Sequence, residues 1–320
     1  MAQQLIRRLS RRQLIQSGIV AGAAWSASTG FAAESKNTAL GAVITKAVPA
    51  TGEKLPVIGL GTNNYSVTAP DEIADRRAVL ERMPQLGAAV VDTAPAYGRS
   101  ESVIGELVAG IGNRDKLFIA TKVTAPSGNL ADGKATLQKS FENLRTPRID
   151  LLQVHNLTGV DELLPVLEQL KKDGKIRYIG ITTSNADQYP QMLESMKKHR
   201  LDFIQVDYSL ANRAAAEQIL PLAIERQMGV LVNMPFGGRR GGNLFAQTKD
   251  SKLPDFASQI GVTSWPQLFL KYVVSHPAVT VAIPGTTKVS HLDDNQQAAR
   301  GSLPDAAMRK RLEQFWDAKV

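Results

Sequence analysis

From Leu55 onward, short β-branched runs alternate with longer amphipathic stretches at a nearly constant interval. The runs are Val57–Gly61, Ala89–Asp92, Leu117–Lys122, Ile149–His155, Ile176–Thr182, Phe203–Val206, Gly229–Asn233 and Val279–Ile283. Between positions 92, 122, 155, 182, 205 and 233 the intervals are 30, 33, 27, 23 and 28 residues, each enough for one helix and one strand. The last interval, to Ile283, is 50 residues and holds two helical stretches. Helical segments fall at Asp71–Leu86, Ser100–Ala109, Leu163–Asp173, Gln188–His199 and Ala216–Gln227, with a capping helix over Pro304–Trp316. Leu163, Val166, Leu167 and Leu170 form the i, i+3, i+4, i+7 stripe of one buried helix face. Strands that alternate with helices require a parallel sheet. Eight of them over about 250 residues predict an α/β chain closed as a (β/α)8 TIM barrel. A doubly wound open sheet is the alternative, against which no GxGxxG follows the first strand.

Composition narrows the function. The 320 residues are 43% apolar, enough for a sizeable core and too much for general disorder. With no cysteine, disulfides, thiolate metal sites and thiol nucleophiles are excluded. The histidines His199, His276 and His291 share no metal-ligand spacing, and no metal is expected. We read His199 and His276 as surface residues, and Trp265 and Trp316 as packing residues.

The net charge of +8 invites a nucleic-acid reading until it is divided along the chain. Arg7, Arg8, Arg11 and Arg12 stand ahead of the first acid, Glu34. Ser10-Arg11-Arg12-Gln13-Leu14-Ile15 resembles a twin-arginine export signal, followed by a weakly apolar stretch, Gly18 to Ala27, and small residues ending at Ala32. That stretch is far shorter than the roughly 20 residues a membrane-spanning helix needs, so no stable membrane anchor is expected. The predicted organisation is a signal over 1–32, a loose linker over 33–52 and the barrel over 53–320; an amphipathic N-terminal helix is the alternative for the first segment. Cleavage after Ala32 leaves 320 − 32 = 288 residues and a charge of +8 − 4 = +4, too little to argue for nucleic acid. The resemblance implies the twin-arginine machinery as a partner, a periplasmic or exported location, and a cofactor-binding cargo.

In a barrel of this kind functional residues gather at the C-terminal ends of the strands. The second strand ends in Asp92-Thr93-Ala94-Pro95-Ala96-Tyr97-Gly98, the third in Thr121-Lys122, the fourth in Gln153-Val154-His155. Together with Gly59-Leu60-Gly61-Thr62 and Gly174-Lys175-Ile176-Arg177-Tyr178-Ile179-Gly180, these residues resemble the aldo-keto reductases over about Leu55 to Asn295. The resemblance implies a catalytic tetrad of Asp92, Tyr97, Lys122 and His155. The residue types suit carbonyl reduction, in which hydride addition leaves an oxygen that needs a proton. A phenol is a poor acid at neutral pH. An adjacent ammonium favours its phenolate, so Lys122 is expected to pull the Tyr97 pKa down, with Asp92 holding Lys122. His155 would orient and polarise the carbonyl by a hydrogen bond.

The same resemblance implies NADP(H), with NAD(H) as the alternative, laid across the mouth against Gly61 and Thr62. The family's Gly-x-Ser-Asn after the fifth strand falls on Thr182 and Thr183 in strict register; Ser184 and Asn185 fit after a two-residue shift. Gln205 matches the glutamine that completes the carboxamide site. After the seventh strand the chain reads Val232-Asn233-Met234-Pro235-Phe236-Gly237, which puts Asn233, a residue without a π-face, where the family stacks a tyrosine on the ring. Pro235, Phe236 and Gly237 follow, and the loop Gly237 to Gly242 is either a pyrophosphate cradle or a surface loop. Thr286, Thr287, Lys288, His291 and Asn295 match the adenosine-phosphate end, with His291 replacing an arginine. Of the aromatic residues near the mouth, Tyr65, Phe236 and Phe245 stand out.

The expected function is NADP(H)-dependent reduction of small aldehydes or ketones by a monomer, with Tyr97 as proton donor. A non-catalytic or redox-sensing nicotinamide-binding module is the alternative. A phosphate-handling barrel using only Gly285-Thr286-Thr287 would leave the tetrad unexplained.

Overall fold

A computed structural model describes residues 41–238 and 243–319; the expected signal segment, residues 33–40 and loop positions 239–242 lie outside the described residues. The chain opens with a hairpin, β1 (Thr45–Ala47) antiparallel to β2 (Lys54–Pro56). Eight parallel strands follow in strict sequence order: β3 (Leu60–Gly61), β4 (Val90–Asp92), β5 (Phe118–Val123), β6 (Ile149–Val154), β7 (Ile176–Thr182), β8 (Phe203–Asp207), β9 (Gly229–Asn233) and β10 (Val281–Ala282). The sheet closes on itself where Gly59 N donates to Ala282 O at 2.8 Å, Ala282 N to Val57 O at 2.9 Å and Gly61 N to Pro284 O at 3.0 Å. The result is the expected (β/α)8 barrel. Its first and last strands are shorter than their hydrophobic runs, because bridges rather than full ladders close the seam.

The α-helices among the described residues are α1 (Pro70–Gln85), α2 (Ser100–Ile111), α3 (Leu130–Asn143), α4 (Val160–Lys172), α5 (Tyr189–Lys198), α6 (Ile219–Glu225), α7 (Leu244–Thr248), α8 (Trp265–Val274), α9 (Val289–Gln297) and α10 (Ala306–Asp317). Strand side chains alternate between the two faces of the sheet. Outward residues such as Ile119, Leu152, Ile181 and Ile204 pack under Leu163, Leu167, Met192 and Leu268 of the helices. Inward residues Val90, Phe118, Leu151, Tyr178, Phe203, Leu231 and Val281 fill the barrel with a separate apolar plug. Bulky rings there need small neighbours: a Cβ on Gly229 would meet the Phe203 ring at 2.5 Å.

Within the segment expected as a loose linker, Thr45–Ala47 forms β1 and Val48 is buried. Val48 and Leu55 of the hairpin are buried in the barrel plug. Lys46 donates to His276 O and Val279 O, and Glu53 accepts from Arg177 and Tyr178. The physical reason is that an open barrel bottom would leave the plug wet, and two apolar residues on a tight hairpin cover it. His276 is likewise not a surface residue: it is half-buried, its ring lies edge-on to Tyr208 at 5.6 Å, and burial with the nearby Arg309 and Lys46 charges lowers its pKa to about 4. Trp316 is buried and Trp265 stacks on Phe269, as packing residues do.

Candidate active site

The apolar plug ends where the strands reach the mouth, and there the inward positions turn polar. Asp92 ends β4, Lys122 lies near the end of β5, and Gln153, Thr182, Gln205 and Asn233 take the equivalent inward level on β6 to β9. Above them opens a cleft of about 460 Å³.

Lys122 and Asp92 are each 2% exposed, and Lys122 Nζ donates to Asp92 Oδ2 at 2.6 Å and to Thr93 O at 2.8 Å. The other carboxylate oxygen, Asp92 Oδ1, is buried without a hydrogen-bond partner. Tyr97 sits on a short 3-10 turn, Pro95–Tyr97, with the Lys122 ammonium 5.3 Å from its ring centroid. Gly98 ends that turn with φ 64°, where a Cβ would meet Ser66 Oγ at 2.5 Å, so only glycine lets the chain fold back there. His155 follows β6 on a turn whose next two residues, Asn156 and Leu157, are both left-handed, with φ 51° and 57°. For buried Leu157 this is backbone strain of the sort found at functional sites. The Tyr97 and His155 rings meet edge-on, 6.2 Å between centroids. The four residues therefore converge on one mouth.

The electrostatics differ from expectation at Tyr97. Burial raises its pKa, and the lowering by Lys122 is outweighed, with Asp92 adding to the rise. The phenol is thus firmly protonated at neutral pH. Burial first, and Lys122 second, lower the His155 pKa to about 4, so its imidazole is neutral. The site presents a neutral phenol and a neutral imidazole beside a compensated ion pair.

The cleft is lined by Gly61, Thr62, Thr182, Gln205, Asn233, Pro235, Phe236 and Gly237, all anticipated, as well as by the tetrad. Thr183 does not face it. Its fully buried hydroxyl donates to Gln188 Oε1 at 2.6 Å, and Ser184 lines the cleft instead. Alternation of side chains puts Thr182 and Ser184 on one side and Thr183 on the other. Thr286, Thr287, Lys288, His291 and Asn295 lie beyond the lining, past the rim that ends at Gly285. Thr286 is buried and its hydroxyl is engaged with the Lys288 backbone, while Lys288 and His291 are exposed. Lys288 is the N-cap of α9 but makes no side-chain capping bond. Tyr65 is buried, donating to Thr286 O, whereas Phe236 lines the cleft and packs against Phe245 at 4.8 Å.

Sequence reasoning missed Asn63, Asn156, Met234, Ile283 and Gly285 in the lining. Asn63 and Asn156 directly follow Thr62 and His155, so reading one residue past each strand end finds them. Met234 enters through a left-handed φ of 51°, for which the sequence carries no signal. Among the described residues, no cluster of three or more His, Asp or Glu suits a metal, and no helix is long and apolar enough to cross a membrane.

Comparison with known proteins agrees with this architecture. Residues 57–316 match the model of the aldo/keto reductase family. The oxidoreductase YqkF of Bacillus subtilis is 28% identical over 258 residues, covering 69% of this chain and 81% of its own length. Methylglyoxal reductase YeaE of Escherichia coli is 27% identical, covering 79% and 89%. An aldo/keto reductase from Klebsiella pneumoniae, crystallised with NADP and acetate, superposes with a TM-score of 0.69 at 23% identity, covering 86% and 96%. This chain belongs to the aldo/keto reductase family.

Proposed function

We propose that the protein reduces small aldehydes or ketones to alcohols with NADP(H), using Tyr97 as the proton donor, after export by the twin-arginine route. The observation that carries the chemistry is the buried Asp92–Lys122 pair beside a protonated Tyr97 and a neutral His155 on one cleft. The names of the relatives, a methylglyoxal reductase and an NADP complex, favour a small carbonyl and a phosphorylated nicotinamide cofactor.

The residues present fit that cofactor. Thr182, Ser184, Gln205 and Asn233 set hydroxyl and amide groups around one wall, and a buried acceptor there, Asn233 Oδ1, lacks a donor. This wall suits a carboxamide, which brings both N–H and C=O groups. At the other end, exposed Lys288 and the start of α9 suit a phosphate. When bound, NADPH supplies the hydride. Tyr97 Oη gives its proton to the carbonyl oxygen, and His155 donates an N–H that holds that oxygen in place. Lys122 favours the phenolate left behind, and Asp92 fixes Lys122. Phe236 and Met234 keep one side of the cleft apolar.

The test is NADPH consumption with a panel of small carbonyls, comparing wild type with Tyr97→Phe. Loss of about 10²–10⁴-fold in kcat, with NADPH binding retained, is expected from removing a general acid. Equal turnover by the variant would reject Tyr97, and binding without any turnover would favour the non-catalytic module. For location, Arg11→Lys with Arg12→Lys is expected to leave the protein in the cytoplasm on fractionation. Unchanged export would reject the signal.

A further inference from the structure

The first turn of α2 buries residues that a helix start normally gives to solvent. Ser100 is 0% and Glu101 2% exposed. Ser100 Oγ donates to Thr62 O at 3.0 Å and lies 2.9 Å from Thr93 Oγ1. Thr62 in turn donates its N–H and hydroxyl to Asp92 O, and Thr93 O receives the Lys122 ammonium. Glu101 Oε1 accepts from Thr121 Oγ1 at 2.6 Å, and Oε2 accepts from Ser140 Oγ at 3.2 Å. One helical turn thus binds the ends of β3, β4 and β5, the strands that carry or flank Asp92 and Lys122.

Two features say that this arrangement is maintained at a cost. Burial raises the Glu101 pKa, so its charged form is disfavoured where an apolar residue would pack without penalty. The helix is also drawn unusually close: a Cβ on Gly105 would lie 2.0 Å from Asn143 O. Only glycine there lets α2 approach α3 closely enough for the Glu101 contacts.

We propose that Ser100 and Glu101 are positioning residues of the active site, which fix Thr93 and Thr121 and so hold Lys122 between Asp92 and the Tyr97 ring. Neither touches the cleft. Their action on turnover rests on the proposed reductase reading; their action on Lys122 does not.

His155 reports on the placement of Lys122, because that ammonium helps to hold the imidazole pKa down near 4. With four histidines in the chain, its titration is resolvable by NMR and assigned by its loss in His155→Gln. In Ser100→Ala and Glu101→Gln the His155 midpoint is expected to rise as Lys122 withdraws, and kcat to fall about 10- to 100-fold with KM little changed. Thr280→Val removes a similarly buried hydroxyl that precedes β10 and accepts from Val230 N at the start of β9, at the opposite end of the strands from the tetrad. That variant should lose stability without either effect. An unchanged His155 midpoint in Ser100→Ala overturns the proposal. A downward shift in Glu101→Gln also overturns it, since loss of negative charge alone moves an imidazole that way. The titration needs no turnover, so an inactive protein would reject the reductase reading and leave this result standing.

Discussion

Replacing Lys122 by methionine removes an ammonium of nearly the same length and leaves Asp92 in place. In the native site the pair is 2–3% exposed at the side chains and 2.6 Å apart, and Asp92 Oδ1 already lacks a partner. The variant therefore buries a carboxylate with neither oxygen paired to a cation. Breaking a buried pair this way costs about 3–5 kcal/mol, a large share of the roughly 5–15 kcal/mol that holds a domain folded. Asp92→Val leaves the converse defect, an ammonium with only Thr93 O to accept from it. The double variant carries no charge, and its loss is expected to fall below about 1 kcal/mol, since apolar replacements of similar volume are often neutral. Urea unfolding of the four proteins measures the coupling, the two single losses less the double's, which should reach at least about 5 kcal/mol. All three variants should be inactive, so stability and chemistry separate cleanly. A double variant whose loss equals the sum of the single losses would refute the claim that the two charges compensate one another.

Two further outcomes follow from the site. Asn233→Tyr supplies the aromatic face that the cleft lacks, and NADPH affinity by fluorescence titration should tighten roughly two- to tenfold, the equivalent of about 0.5–1.5 kcal/mol; weaker binding would show that the Asn233–Thr183 contact matters more. His155 and His276 are both lowered from 6.5 to about 4 when folded. Between those values the unfolded chain binds protons that the native one does not, so stability is full above about pH 6.5 and falls as the pH drops towards 4. Thermal unfolding between pH 6.5 and about 5 should show a shallower fall in His276→Asn, and an equal slope would exclude His276 as a source.

The tetrad was legible because each of its members ends, or closely follows, a strand, and strand ends can be counted from the hydrophobic rhythm. Counting does not reveal which side a residue faces once the strand stops. Thr182 still belongs to β7 and lines the cleft. Beyond the strand the Thr183 hydroxyl turns to Gln188 and Ser184 lines the cleft instead. The direction of the Tyr97 shift was misread for a related cause. Sequence shows the neighbouring cation but not the burial that outweighs it.

The sequence by itself determined the barrel, its strand order and the four residues at its mouth, because the period of apolar runs dictates a parallel sheet and a parallel sheet sends its strand ends to one side. Tertiary structure alone decided what surrounds them. Val48, from a segment whose composition reads as linker, plugs the bottom together with Leu55. Ser100 and Glu101 vanish from the surface because Gly105 draws α2 inward. Such contacts join residues far apart along the chain, and their energy depends on burial, which no local pattern of residues encodes.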